Sequence, residues 1–498
     1  MKSIHISIVL HIIGVCLIFE SFFILLDIPI SIIFQDGNIT PLLESSIITL
    51  IFGLIFFMST KGKLPEKPSI KESFLIVTLS WFFISLFGTL PYLLSNSITS
   101  FTDALFETVS GFTTTGSSIL NDIEALPKSI LFWRSETHWI GGMGIIALVI
   151  AILPSLKVSG SHLFSAEGSF FNTEKIHPRL SDVVKRLWAI YILLTLAETI
   201  LLILAKMNWF DAICHSFATI ATGGFSTKNT SIAEYSATIQ YIITLFMFLS
   251  GMNFILHYLI VHGKLKKVIQ NEEWKAYVLI VGIITITLTY YNYPIYKTGE
   301  ASFRNSLFQI VSIITATGFT SVDYGQWVQI AKYLLFFSMF IGACVGSTGG
   351  GIKIARYVIV LKTLKRQFKK AIHPNAVTTI RYNDKPVKEE EITNISSFVM
   401  IYFLTFIIGS FFMMATGLDA QSASSSVITT LGGIGPGFGK VGPVSNFSEI
   451  SEIGKYYLSF NMILGRLEII SVLSLFRRSF YKVHCHALNF VERTSKKR

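Results

Sequence analysis

The chain has 498 residues, of which 51% are hydrophobic and only 14% are charged. A soluble protein of this length carries about a quarter charged residues, so this composition lacks the polar surface that water requires. The formal net charge of +11 is concentrated in particular loops, which argues against a nucleic-acid partner and for membrane lipid as the surroundings.

Apolar blocks near the ~20 residues that cross a bilayer as helix predict an all-α polytopic membrane protein. They predict ten crossings, at 5–27, 38–60, 73–95, 131–154, 185–206, 236–262, 275–294, 330–361, 393–417 and 455–476. The first block is long for a signal peptide, contains Glu20 and precedes no small-residue cleavage pattern. We therefore expect it to be a retained span.

Four further apolar segments are too short to cross. They are FTDALFETVSGF, WFDAICHSFATI, SFRNSLFQIVSI and DAQSASSSVITT, which begin near Asp103, Asp211, Asn305 and Asp419. Such polar residues suit helix N-termini. Each segment leads into a glycine turn, at Gly116, Gly223, Gly318 and Gly435. The recurring order of span, short helix, glycine turn and span is an internal repeat, with four chance hairpins as the alternative.

The repeat predicts five units along the chain. They are an N-terminal transmembrane hairpin (1–66), pore repeat 1 (67–160), pore repeat 2 (161–264), pore repeat 3 with an intramembrane gating loop (265–385), and pore repeat 4 with a basic tail (386–498). Basic residues cluster in alternate loops and in the tail, which places these loops and both termini in the cytoplasm. Each repeat crosses an even number of times, so the copies are parallel and surround a central path.

The glycine turns indicate a cation path. Irregular backbone at membrane depth is tolerated only where it faces protein or water, and a ring of four turns presents carbonyl oxygens that can replace the hydration shell of an ion. The turns carry no Asp or Glu for a divalent cation and no Arg or Lys for an anion. The short helices direct their partly negative C-terminal ends inward. A monovalent cation is therefore the predicted ion.

Several segments resemble a known family. GFTTTGSS, ATGGFST, TATGFTS and GGIGPGFGKVGP look like the four pore loops of the Trk/Ktr/HKT superfamily of potassium transporters. GSTGGGIKIARY, HPNAV and LGRLEI resemble further segments of its bacterial TrkH/TrkG branch, and the resemblance covers nearly the whole chain. It implies potassium uptake across the bacterial inner membrane, with K⁺ as the transported ion, no organic cofactor on this chain and no enzymatic activity.

The resemblance also implies a set of site residues. The ion sites would be lined by Thr114, Thr115, Gly116, Ala221, Thr222, Gly223, Ala316, Thr317, Gly318, Gly433, Ile434 and Gly435. Glycine rather than serine at position 116 favours K⁺ over Na⁺. The family works as a homodimer with a cytosolic, nucleotide-binding TrkA-like subunit, which the basic loop at 362–370 and the C-terminal tail could dock.

Two features of the later spans have competing interpretations. GACVGSTGGGIK lacks the lysine-Ser/Thr pair of a P-loop, and it fits either small-residue helix packing or a flexible intramembrane loop. The family resemblance favours a gate formed by Gly346, Ser347, Thr348, Gly349, Gly350 and Gly351. Arg466 lies mid-span, where a cation usually faces an interior path rather than extending to a helix end. The resemblance places it below the filter, where its charge would limit conduction.

Two other functions compete with a pore. A cation-coupled permease for another small solute would use inverted repeats, whereas these copies run the same way. A membrane enzyme would need a motif such as HExxH or GxSxG, and neither is present. The four scattered cysteines predict no disulfide framework, and a metal site at His484–His486 is a weak alternative.

Overall fold

Two long apolar helices open the chain, α1 (Ile6–Phe34) and α2 (Ile39–Ser59). They cross at Gly14 and Gly53, where a Cβ added to Gly14 would lie 2.8 Å from the Gly53 carbonyl oxygen. Glycine thus lets the two backbones touch, as is typical of helix pairs in membranes. The computed structural model describes residues 4–61, 68–144, 180–376, 378–467 and 469–477.

The first two repeats follow in the same order of elements. The first contains α3 (Ile70–Phe87), α4 (Leu90–Leu94), α5 (Phe101–Phe112) and α6 (Lys128–Gly142). The second contains α7 (Leu180–Leu204), α8 (Trp209–Ile220), α9 (Ala237–Ser250), α10 (Phe254–Val261) and α11 (Leu265–Gln270). In both, a long helix precedes a short one, a loop and a second helix.

The last two repeats share this order. The third contains α12 (Glu272–Tyr296), α13 (Gly299–Ile314), α14 (Gln329–Ser338) and α15 (Ile354–Ile372), then strands β1 (Arg381–Tyr382) and β2 (Lys385–Pro386), which pair as an antiparallel hairpin. The fourth contains α16 (Glu389–Ala415), α17 (Ala420–Gly432), α18 (Glu452–Arg466) and α19 (Ile469–Leu475). Single 3₁₀ turns, at Tyr324–Gln326 and Gly439–Val441, follow the loops after α13 and α17.

The chain is therefore an all-α polytopic membrane protein, as its composition predicts. Six described helices are long and apolar enough to cross a membrane, or up to eight if two bent pairs each count as one crossing. The prediction of ten crossings differs at two places. The span at 131–154 runs beyond the described residues, and the span at 330–361 is divided into α14 and α15 by the irregular segment 339–353. Three glycines in a row at 349–351 favour that break.

The four short helices lie close to their predicted positions. α5 and α8 have the predicted bounds, and Asp419 caps α17 by accepting a hydrogen bond from the Ser422 N–H at 3.0 Å. α13 begins earlier than predicted, at Gly299. Asn305 is consequently inside this helix rather than at its start, and its side-chain oxygen accepts from the Ser321 hydroxyl at 3.1 Å. The exact boundaries of the five predicted units stay a prediction.

Candidate functional site

The loops after the four short helices share an unusual backbone. Each contains one residue with φ between 54° and 68°, and two positions later a glycine with φ between 79° and 96°. These pairs are Thr114 and Gly116, Thr222 and Gly224, Ala316 and Gly318, and Gly433 and Gly435. Alternation between positive and negative φ along successive residues aligns their backbone groups instead of pointing them to opposite sides. The threonines and alanine adopt positive φ at a cost, which marks a conformation that the surroundings impose.

This alternation corrects one predicted equivalence. Gly224, with φ of 82°, occupies the position of Gly116, and Gly223 occupies that of Thr115. The family resemblance of the loop sequences predicts instead that Gly223 is the equivalent of Gly116. Ala221, predicted to line an ion site, is instead the right-handed C-cap of α8. Two adjacent glycines look alike in the sequence, and only their backbone angles distinguish them.

The four loops adjoin one another in a closed ring. The α-carbon of each positive-φ glycine faces the carbonyl oxygen of the middle residue in the next loop. Gly116 faces Gly223, Gly224 faces Thr317, Gly318 faces Ile434, and Gly435 faces Thr115, and an added Cβ would lie 2.1, 1.9, 1.8 and 2.8 Å from those oxygens. Any side chain would overlap the neighbouring backbone. Glycine is therefore required here both by its φ and by the space between loops.

A cavity of about 220 Å³ lies against all four of these glycines. Its lining includes serine, threonine and asparagine side chains together with two cations, Arg134 and Lys228. Both cations have an acidic partner, since Lys228 pairs with Glu124 at 2.8 Å and Arg134 pairs with Glu107 at 2.6 Å. The approach to the ring is thus polar, and its positive charges are compensated.

Hydrogen bonds between neighbouring loops reinforce the ring. They join the Ser117 hydroxyl to the Gly435 carbonyl at 3.3 Å, the Thr320 N–H to the Ser231 hydroxyl at 3.1 Å, and the Tyr324 hydroxyl to the Gly437 carbonyl at 2.9 Å. His138 bonds the Gly111 carbonyl at 2.7 Å and accepts from the Phe225 N–H at 3.1 Å. It thereby fixes the second loop to α5 and α6.

Sequence analysis missed the ion pair between Glu107 and Arg134. Both side chains are buried, and Arg134 also donates to the Ser226 carbonyl at 2.8 Å. Glu107 accepts from the Ser118 hydroxyl and the Ile119 N–H, each at 3.0 Å. A fully bonded buried pair is costly to break from one side. The signal in the sequence was a second acid, Glu107, in the apolar middle of a short helix, with an arginine in the next span.

The segment 339–353 lies against the ends of three short helices. The Thr348 hydroxyl donates to the Ile220 carbonyl at the end of α8, at 3.1 Å. A Cβ added to Gly349 would lie 2.5 Å from the Thr315 carbonyl oxygen, and one added to Gly350 would lie 2.2 Å from that of Gly432. The residues predicted to form a gate therefore lie against the C-terminal ends of the short helices, where the loops begin.

Arg466 connects this segment to the ring. Its guanidinium donates to the Thr348 carbonyl at 2.8 Å, to the Thr114 hydroxyl at 3.3 Å and to the Gly142 carbonyl at 2.8 Å. The guanidinium therefore lies among the segment and the first loop, although Arg466 is the last residue of α18 and not in the middle of a continuous helix. A second cation, Lys353, bonds the Gly349 carbonyl from within the segment. The sequence comparison had not singled it out.

Two motifs noted in the sequence fall outside the described residues, namely His484–His486 and the basic end of the tail. Within the part of the chain that the structure describes, no group of three or more His, Cys, Asp or Glu side chains is arranged to hold a metal ion.

Comparison with known proteins gives consistent matches over nearly the whole chain. A family model described as TrkH, cation transport protein, matches residues 41–481. The Trk system potassium uptake protein TrkH of Escherichia coli K12 is 37% identical over 486 residues, which are 96% of this chain and 100% of that protein. The Trk system potassium uptake protein TrkG of the same strain is 31% identical over 494 residues, 97% of this chain and 100% of that protein.

A solved structure is similar as well. The crystal structure of the potassium transporter TrkH from Vibrio parahaemolyticus superposes with a TM-score of 0.85 at 34% sequence identity. The superposition covers 96% of this chain and 100% of that one. The range matched by the family model, residues 41–481, includes all four loops and the segment between α14 and α15.

Proposed function

Because the chain belongs to the TrkH family of cation transport proteins, as its pore-loop segments predicted, we propose that it takes up potassium through the ring of four loops. The relatives named above are potassium uptake proteins, and the transported ion here is proposed to be K⁺. The observation that carries this proposal is the cyclic contact of each loop's glycine with the next loop's carbonyl. A single polypeptide thereby surrounds one axis with peptide oxygens.

The ring supplies the chemistry that a monovalent cation needs. Carbonyl oxygens replace water around the ion without a fixed counter-charge, and the ends of four short helices add partial negative charge nearby. With the corrected second loop, the filter is formed by Thr114–Gly116, Thr222–Gly224, Ala316–Gly318 and Gly433–Gly435. Ala221 drops out of the set that the sequence predicted.

The segment 346–351 and Arg466 are proposed to gate this path. The segment lies against the ends of the short helices, where an ion leaving the filter would pass. Arg466 adds a positive charge that repels cations and bonds both the segment and the first loop. Movement of the segment away from these contacts would open the path.

The location and partners follow the family. An integral membrane protein is supported by the apolar helices, and we propose the bacterial inner membrane with both termini in the cytoplasm. A homodimer and a cytosolic TrkA-like nucleotide-binding subunit complete the proposal. Co-purification of such a subunit with the chain, and its loss when the basic tail is deleted, is the test of the docking site.

Transport is tested by rubidium and sodium uptake in a strain that lacks potassium transporters. We expect the chain to restore growth at low external K⁺. Gly116→Ser and Gly318→Ser each place a side chain against a neighbouring carbonyl, so we expect both to lower discrimination between K⁺ and Na⁺. Unchanged discrimination in both variants, at normal amounts of protein in the membrane, would contradict the filter.

A further inference from the structure

Glu273 is a buried carboxylate at the foot of the segment 339–353. It lies in the first turn of α12, whose N-cap Asn271 accepts from the Trp274 N–H at 2.9 Å. Its side chain is 3% exposed. A carboxylate in a helix's first turn is favoured by the partial positive charge there, but the bonds of Glu273 go elsewhere.

One oxygen of Glu273 bonds to the chain on both sides of the glycine-rich stretch 346–351. Its Oε1 accepts from the Val345 N–H at 2.7 Å and from the Ala355 N–H at 3.2 Å. Val345 precedes the glycine-rich stretch, and Ala355 follows it in the first turn of α15. The Ala355 N–H is one of the groups that a helix start leaves without an intrahelical acceptor, so the carboxylate satisfies a need that the segment itself creates.

Backbone hydrogen bonds also join the parts of the chain before and after the stretch 346–351. The Gly342 N–H donates to the Ile352 carbonyl at 2.9 Å, and the Ile354 N–H donates to the Ala343 carbonyl at 3.2 Å. These bonds lie within the segment and move with it. Glu273 belongs to α12, so its two bonds fix the segment to that helix. Backbone bonds from Cys344 to the Gly251 carbonyl at 3.0 Å and from Phe254 to the Gly346 carbonyl at 2.9 Å fix it to α9 and α10.

Charged groups hold the segment at its base, next to α12, and at its tip, near Thr348. Lys353, inside the segment, is near enough to Glu273 for attraction and bonds the Gly349 carbonyl. Arg466 holds the opposite end through the Thr348 carbonyl at 2.8 Å. The base is thus fixed by an anion of α12 and the tip by a cation of α18.

We propose that Glu273 is a positioning residue that holds the segment 345–355 closed across the ion path. This rests on the proposed gating role of that segment. Loss of the carboxylate frees Val345 and Ala355 from α12. It thereby favours the position in which the segment has moved out of the ion path. Ion discrimination stays unchanged, because the ring of pore loops has its own contacts.

The test is rubidium uptake by the full chain with Glu273→Gln and Glu273→Leu, normalised to protein in the membrane. Leucine removes both bonds, and the loss of a charge-assisted hydrogen bond shifts an equilibrium by about tenfold, so uptake should rise by about that factor. Glutamine keeps an acceptor oxygen without the charge, and neutral bonds are weaker, so its rise should be smaller. If Glu273 were only a structural residue, both substitutions would lower uptake, and leucine would lower it more than glutamine.

The adjacent Glu272 is the matched control. It pairs with Lys362 on α15, and its N–H donates to Asn383 of the hairpin at 2.8 Å. Glu272→Gln should leave uptake within twofold of the original chain. A second control places Glu273→Leu in a chain lacking residues 346–351, where it should add no further rise.

Three results would overturn the proposal: unchanged or lower uptake in both Glu273 variants, an equal rise in Glu272→Gln, or an undiminished rise without residues 346–351. If the Glu273→Leu protein does not accumulate in the membrane, uptake by Glu273→Gln alone tests the proposal. Absence of uptake by the original chain would instead refute the proposed function, so the two failures are distinguishable.

Discussion

The four pore loops and the segment 339–353 are both irregular backbone at the centre of the molecule, but they are held by different means. Each pore loop contacts the next backbone to backbone, at distances where an added Cβ would lie 1.8 to 2.8 Å from a carbonyl oxygen. The segment is held at separate points, by backbone bonds from Cys344 to the Gly251 carbonyl and from Phe254 to the Gly346 carbonyl. Side chains of other helices, above all Glu273 and Arg466, add further bonds to it. The first arrangement is continuous around the ring, whereas the second consists of separate attachments.

This difference fits the proposed division of roles, in which the ring selects the ion and the segment gates the path. A ring in which every loop supports the next cannot move one member without displacing its neighbours, as a filter of fixed dimensions requires. A segment held at separate points can leave its position when some of those bonds are lost, because each bond contributes only a small free energy. We therefore expect substitutions in the ring to lower uptake or ion discrimination, and substitutions at the attachments to increase uptake.

The largest effect is expected from Gly224→Ala. Its Cβ would lie 1.9 Å from the Thr317 carbonyl oxygen, and its φ of 82° is strained for alanine. We expect rubidium uptake to fall by more than about tenfold, since such strain and overlap together exceed a few kcal/mol. Gly282→Ala in α12 is the control, because nothing lies within 4 Å of its added Cβ. Near-normal uptake by Gly224→Ala would mean that the ring is not as close as described.

A smaller change of opposite sign is expected from Arg466→Ala. The substitution removes the bonds to Thr348 and Thr114 together with a positive charge beside the path. We expect uptake to rise by about tenfold, as for loss of a charge-assisted hydrogen bond. Arg304→Ala, which removes a cation paired with Glu300 away from the path, should not raise it. Transport unchanged by Arg466→Ala would contradict the proposed role.

The smallest effect is expected in the outer loops. The Lys228 ammonium, through its hydrogen bond, holds the pKa of Glu124 below its usual range. A lowered folded pKa contributes stability above the unfolded pKa, and that contribution is lost as pH falls through the folded value. Both groups are substantially exposed, so the loss lies well below the ~1 kcal/mol that surface pairs reach.

Thermal unfolding in detergent at pH 7 and at about pH 2, well below the usual carboxyl pKa, measures this contribution. Glu124→Gln should lower the unfolding temperature slightly at pH 7 and leave it nearly unchanged at the acidic pH. An effect as large as that of Gly224→Ala would show that the outer loops, and not the backbone ring, hold the four repeats together.

The amino-acid sequence by itself determined the membrane class, the four short helices and the family. These features depend on local composition. Apolar blocks of sufficient length form spans, and a polar residue before a short apolar run starts a helix. α5 and α8 accordingly have their predicted bounds. The glycines of three loops were also found, because each has no adjacent glycine that could replace it.

Tertiary structure alone decided which glycine of the second loop faces its neighbour and which side chains hold the segment 339–353. Whether Gly223 or Gly224 faces the next loop depends on where the Thr317 carbonyl lies, and no local pattern contains that information. Glu273 bonds residues more than seventy positions away, and Arg466 bonds Thr348 and Thr114 at greater separations. Such partners meet only when four repeats close around one axis, because the closure brings together backbone groups that are distant along the chain.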